Sequence, residues 1–285
     1  MSALSDRAFI AMQRVLPQHA LSRLVGMLAG TRAPWIRTPF IRLFARAYDV
    51  DLTEAVAGSL DEFATFNDFF TRALKPDARP LAGDDRTLVS PADGVLSQAG
   101  RITTGRLLQA KGSTYSLEAL LGDDREFLDA GSFEGGHFAT VYLAPHDYHR
   151  VHLPLAGRLL GTRTVPGALY SVNATTETHI EGLFARNERL VCRFETALGD
   201  MAVVLVGAMI VAGIHTVWQG PSSPYGRLET TPYDRLPFAR GAEIGRFLLA
   251  STVVVCLPPA PVSLASGLKH GSPLRMGQAL FRPTR

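Results

Sequence analysis

From about residue 87 onward the chain breaks into short β-branched and aromatic runs, each closed by Gly, Pro or Asn. Residues 140–143, 150–155, 190–194, 201–206 and 252–257 are such runs. Runs this short, punctuated this regularly, fit strands joined by tight connections. Residues 4–48 read differently. Leu21, Leu24, Val25 and Leu28 recur at the spacing of one helix face, and Pro17, Pro34 and Pro39 divide the segment into short helices. Two brief helices are expected later, at 66–72 and at 116–121, the second capped by Ser116. The expected fold class is therefore α+β: amino-terminal short helices followed by a β-rich body of mostly antiparallel sheets.

Charge narrows the partners. The 285 residues carry a net charge of only +3, with 46% hydrophobic and 19% charged residues, which fits a folded core and argues against nucleic acid as a partner. The positive charge is concentrated at the start, where Arg7, Arg14, Arg23, Arg32, Arg37, Arg42 and Arg46 face a single acid, Asp6. Trp35 and Phe40 add apolar surface among them. Such a segment either packs on the body with its arginines in water or lies on an anionic membrane surface. The longest apolar run, 201–214, is interrupted by Gly207 and Gly213 and reads as one or two buried strands, not a membrane span. Gln13, Arg14 and Pro17 break any apolar stretch of a signal peptide. Cys192 and Cys256 lie in apolar runs without metal-knuckle spacing, which predicts buried, reduced thiols and a reducing compartment.

Three segments carry chemistry. Ser251 follows Gly245-Arg246-Phe247-Leu248-Leu249-Ala250 and opens an apolar run. Asp93 lies in Ser90-Pro91-Ala92-Asp93-Gly94-Val95. His149 and His152 lie in Tyr148-His149-Arg150-Val151-His152. An acid, a base and a hydroxyl in that chain order suggest an activated serine, and the peptide bond before Ser251 is a candidate first target. Taken singly, Asp93 reads as a turn acceptor and Ser251 as a strand-edge serine. His146, His149 and His152 are spaced by three, as metal ligands on a helix can be, but Pro145 and Pro154 bracket them and no HExxH pattern occurs; no metal is expected. On a strand over 150–155, Val151, Leu153 and Leu155 would face the core, His152 the other way, and His149 would sit in the loop at the entry.

Taken together, these segments resemble the phosphatidylserine decarboxylase family. The resemblance rests on Phe66-Asn67-Asp68-Phe69-Phe70, Pro91-Ala92-Asp93-Gly94, Gln109-Ala110-Lys111-Gly112 with Tyr115-Ser116-Leu117, and Asp147-Tyr148-His149-Arg150-Val151-His152. It continues through Val165-Pro166-Gly167, Phe184-Ala185-Arg186-Asn187-Glu188-Arg189 and Gly245-Arg246-Phe247. The ordered set spans nearly the whole chain. The resemblance implies a proenzyme that cuts itself between Ala250 and Ser251 into a large chain (1–250) and a small chain (251–285). Ser251 would become a pyruvoyl group, the covalent cofactor, that forms a Schiff base with phosphatidylserine and releases carbon dioxide to give phosphatidylethanolamine. Asp93, His152 and Ser251 match the family's self-cleavage triad, and His149 matches the histidine of decarboxylation. It also implies a homodimer, peripheral on the cytoplasmic face of the cell membrane. Residues 1–65 would form the membrane-associating helical region and 66–285 the catalytic domain.

One departure stands out. The family's usual Leu-Gly-Ser-Thr is here Leu249-Ala250-Ser251-Thr252. A methyl beside the attacked carbonyl costs about 1–2 kcal/mol if the site needs a left-handed backbone there, enough to slow processing about five- to thirtyfold without abolishing it. Other classes remain open from the residues alone. A Ser-His-Asp hydrolase of external lipid or ester substrates would use the same triad but lacks a Gly-x-Ser-x-Gly elbow. A pyridoxal phosphate decarboxylase would need Lys111 as its Schiff-base lysine. A non-catalytic membrane-surface protein would leave Asp93, His149, His152 and Ser251 unexplained.

Overall fold

The computed structural model describes residues 3–110, 112–209, 213–222, 225–248 and 251–284. Three helices open the chain: α1 (Ala3–Val15), α2 (Gln18–Ala29) and α3 (Pro34–Ala47). Pro17 separates the first two, and Pro34 stands at the start of α3, where its missing N–H leaves no intrahelical bond unmade. Pro39 does not divide the segment as expected; it lies inside α3. It removes one bond of the helix, and the packing of Phe40, Ile41, Phe44 and Ala45 on an aromatic cluster carries the helix past it. The face expected to pack from α2 also differs. Leu24 and Leu28 are 51% and 41% exposed, while Ser22 and Ala29 are buried. Ser22 and Ala29 thus pack most tightly, Leu21 and Val25 are half-buried, and Leu24 and Leu28 are left on the outside. No helix among the described residues is long and apolar enough to cross a membrane.

The short helix α4 (Phe66–Phe70) begins where the Thr65 hydroxyl accepts the Asp68 N–H. Its phenylalanines dock under α3: Phe66 stacks on Phe40 at 4.2 Å and meets Phe44 edge-on at 5.0 Å. The helix expected at 116–121 is present as Leu117–Leu121, with the Ser116 hydroxyl accepting the Ala119 N–H.

The body is built on an eight-stranded antiparallel sheet. From one edge to the other its strands are Glu229–Phe238, Gly157–Val165, Arg189–Thr196, Gly199–Val206, Ser251–Leu257, His137–Leu143, Gly94–Arg101 and Pro273–Leu274. Every residue of Ser251–Leu257 is buried. Val253 and Val255 enter one core, shared with two smaller sheets; Val254 and Cys256 enter a second, closed by Leu117, Leu120, Phe133 and Phe184. Burial on both faces explains why this strand reads as an unbroken apolar run. Cys192 and Cys256 are free and buried, and burial pushes both thiols up. A four-stranded sheet holds Gly220–Ser222, Ile214–Thr216, Glu243–Phe247 and Arg150–His152 in that order. A three-stranded sheet holds Leu88–Val89, Ala279–Pro283 and Val262–Leu264. The α+β architecture matches the sequence expectation.

Candidate active site

Three segments converge where the large sheet meets the four-stranded one. Ser251 is the first residue of its strand and pairs with Leu143. Across the other edge of the His137–Leu143 strand, Val95 pairs with Tyr142. Gly94, at φ 149°, presses on that strand so closely that a Cβ would lie 2.1 Å from the Tyr142 carbonyl oxygen. Only glycine fits there. This contact sets Asp93 beside the strand end that carries Ser251. The third segment follows from the same strand: residues 144–149 turn back into Arg150–His152, whose His152 N–H donates to the Pro91 carbonyl at 2.8 Å. Leu248, Leu249 and Ala250 link the end of Glu243–Phe247 to Ser251, so the chain passes here from one sheet to the other. Leu249 and Ala250 lie outside the described residues.

Ser251 is fully buried, and its Oγ has no hydrogen-bond partner among the described residues. A buried hydroxyl without a partner costs about 1–3 kcal/mol, so this position carries a penalty that ordinary strand serines avoid. Asp93 is gripped on two sides. Arg79 Nε donates to Oδ1 at 2.9 Å and Nη2 to Oδ2 at 2.5 Å, while the Met276 N–H donates to Oδ1 at 2.8 Å. Arg79 also pairs with Glu54 at 2.8 Å, and Arg275 with Glu54 at 2.9 Å. Hydrogen bonding to Asp93 holds the Arg79 guanidinium firmly charged. Asp93 does accept a backbone N–H, as its turn setting implied, but the donor is Met276, far along the chain.

His152 is buried, and burial lowers its pKa. Its Nδ1 donates to the Gly241 carbonyl at 2.8 Å, which leaves Nε2 as the lone-pair nitrogen; Nε2 accepts from the Tyr148 hydroxyl at 3.0 Å. Gly241 turns its carbonyl this way at φ 78°. Asp93 acts on His152 through its field, opposing the drop, as Glu243 also does. His149 sits in the loop, as the strand reading implied, but it is not exposed. Its ring stacks on Phe70 at 3.9 Å, Nε2 donates to the Ala144 carbonyl at 3.0 Å, and Nδ1 has no partner among the described residues. Burial pushes its pKa down to about 3, so it is a neutral imidazole with a free acceptor nitrogen. Val151, Leu153 and Leu155 are buried as expected, although the strand itself ends at His152. His146 is on the surface.

Sequence reasoning singled out Asp93, His149, His152 and Ser251, and the structure gathers all four around one strand end. It did not single out Arg79, Gly241 or Met276. Arg79 lies in the proline-flanked stretch Lys75-Pro76-Asp77-Ala78-Arg79-Pro80, where no periodicity marks a buried residue. Tyr148 lay within the histidine motif but was given no role.

The segments that meet at this strand end thus carry a buried serine hydroxyl, two imidazoles whose pKa burial lowers and a carboxylate fixed by Arg79. The profile of the phosphatidylserine decarboxylase family matches residues 66–282, and a second profile, described as PSD, matches residues 8–49. The chain is 53% identical over 287 residues to a phosphatidylserine decarboxylase proenzyme of Pseudomonas aeruginosa, covering 99% of each chain. It is 52% identical to one from Alcanivorax borkumensis, covering 96% of this chain and 95% of that one, and 48% identical to one from Bordetella avium, covering 99% and 96%. The chain belongs to the phosphatidylserine decarboxylase family.

Proposed function

We propose that this chain is a proenzyme that cuts itself between Ala250 and Ser251 and then decarboxylates phosphatidylserine to phosphatidylethanolamine, as a carbon–carbon lyase. The observation that carries the reading is Ser251: a partnerless, fully buried hydroxyl at the first residue of a central strand, in a chain about half identical to named proenzymes.

His152, neutral and with its lone pair on Nε2, takes the Ser251 proton. Asp93, held in place by Arg79, offsets the charge that develops on the imidazole. The Ser251 oxygen replaces its own amide nitrogen on the Ala250 carbonyl, giving an ester. Removal of the Ser251 Cα proton expels the Ala250 carboxylate and leaves a dehydroalanine. Water then displaces ammonia, and a ketone remains at the new chain end. A pyruvoyl group formed from Ser251 would supply the electron sink for loss of carbon dioxide from the head group. His149, a buried neutral ring with an unused Nδ1 acceptor, is the residue assigned to orient the head group once substrate reaches it. The relatives' names carry this activity and not that of the rival Ser-His-Asp hydrolase.

The amino-terminal helices bring the site to its lipid. Met27, Trp35 and Leu43 are 68%, 78% and 71% exposed beside the arginines of the same helices, which suits the surface of an anionic bilayer on the cytoplasmic face. The large and small chains stay together as one enzyme, and the family resemblance adds a homodimer. Intact-mass spectrometry of the purified protein tests the reading: fragments 1–250 and 251–285, the smaller blocked by pyruvate, are expected, and a single uncut chain that still turns lipid over sinks it.

A further inference from the structure

In a hydrogen-bonded serine–histidine–aspartate arrangement, the carboxylate holds Nδ1 of the base and so sets the ring's plane and tautomer. Here that place is taken by the Gly241 carbonyl, at 2.8 Å from Nδ1 of His152. The carboxylate of Asp93 spends its hydrogen bonds on Arg79 and the Met276 N–H. The second contact of the imidazole is Tyr148, whose ring centroid lies 5.6 Å from that of His152 and whose hydroxyl reaches Nε2 at 3.0 Å. A carbonyl can only accept, so the proton is on Nδ1, and the tyrosine donates to Nε2. Nε2 is the nitrogen that has to receive the Ser251 proton.

We propose that Tyr148 is a positioning residue for self-cleavage: with the Gly241 carbonyl it pins His152 in the Nδ1–H tautomer and aims the Nε2 lone pair, which the Ser251 hydroxyl then takes over. The proposal rests on the self-cleavage reading above. Tyr148 is buried, and burial pushes its own pKa up to about 12, so it acts as an intact phenol and does not compete as a base. A donor to Nε2 favours the neutral ring. The other charged groups acting on His152 are Glu243, Arg150 and Asp93. Glu243 is paired to Arg150 and to Arg246, each at 2.8 Å, and Asp93 to Arg79, so the tyrosine is the uncharged contact at the working nitrogen.

The test is Tyr148→Phe, which keeps the ring and removes the donor. Conversion of uncut chain to fragments is followed by intact mass across pH. Self-cleavage near neutral pH should slow about tenfold, and the midpoint of its pH profile should rise by about half to one unit, because the neutral imidazole has lost a donor. An unchanged profile overturns the proposal, and so does a slower rate with an unmoved midpoint, which marks a merely structural contact. A second measurement uses uncut Ser251→Ala protein. Heteronuclear NMR should report the Nδ1–H tautomer for His152, with a titration midpoint that rises when Tyr148→Phe is added. The opposite tautomer, or the same midpoint in both proteins, overturns the proposal. Failure of the wild-type chain to cut itself sinks the proposed function instead and leaves the tautomer result standing.

Discussion

Arg79 closes on Asp93 through two nitrogens, Nε to Oδ1 at 2.9 Å and Nη2 to Oδ2 at 2.5 Å, with both side chains about nine-tenths shielded from water. A shielded carboxylate stripped of its cation is strongly disfavoured, on the order of 3–5 kcal/mol. Arg79→Ala should therefore displace Asp93 from its place and slow self-cleavage at least about tenfold. Arg79→Lys keeps the charge without the fork and should fall between the two. Fragment formation in purified protein, read by mass, checks both; wild-type rates in Arg79→Ala would remove Asp93 from the reaction.

The four residues around the strand end should separate by function. Asp93→Ala, His152→Ala and Ser251→Ala are expected to stay uncut. His149→Ala should still cut itself and lose most lipid turnover, measured as carbon dioxide release. Equal loss of both activities in every variant would contradict this division.

His149 should make the fold acid-sensitive. Its pKa is lowered from 6.5 to about 3 by burial, so between those values the unfolded chain binds a proton that the folded chain does not. Stability is then fully present above about pH 6.5 and declines as pH falls toward 3, by up to about 5 kcal/mol. In uncut Ser251→Ala protein, melting temperature should drop steeply over this window. Adding His149→Gln should flatten most of the drop, with His152, His137 and His215, also held low by burial, supplying the remainder; an unaltered slope would show the ring to be already charged.

Ala250→Gly restores the family's usual residue before Ser251. Processing should accelerate about five- to thirtyfold, the inverse of the 1–2 kcal/mol methyl penalty. Identical time courses would mean that the backbone there needs no left-handed geometry.

The small chain should stay bound after the cut. Ser251–Leu257 is hydrogen-bonded on both sides, to His137–Leu143 and Gly199–Val206, and Ala279–Pro283 pairs with Leu88–Val89. Both fragments should co-elute on gel filtration and part only in denaturant. A free 251–285 peptide under native conditions would argue against this.

The β-rich body was legible because short β-branched and aromatic runs closed by turn residues are local signals, whereas the burial of Ser251–Leu257 on both faces came only with the fold. Asp93, His149, His152 and Ser251 were legible as an ordered set. Their partners were not. Arg79 and Met276 meet Asp93 across 14 and 183 positions, and no local pattern encodes such meetings. The α2 face failed for a related reason. Spacing identifies an apolar stripe but does not say whether protein or something else covers it, and here Leu24 and Leu28 face outward.

The aromatic cluster under α3 ends at His149, since Phe44 touches Phe70 at 5.7 Å and Phe70 stacks on the imidazole. On the proposed reading His149 orients the head group, so a tilt of those helices would reach that ring through two ring contacts. Contact with a bilayer and readiness for turnover would then be mechanically joined, and an enzyme adrift from its lipid would idle.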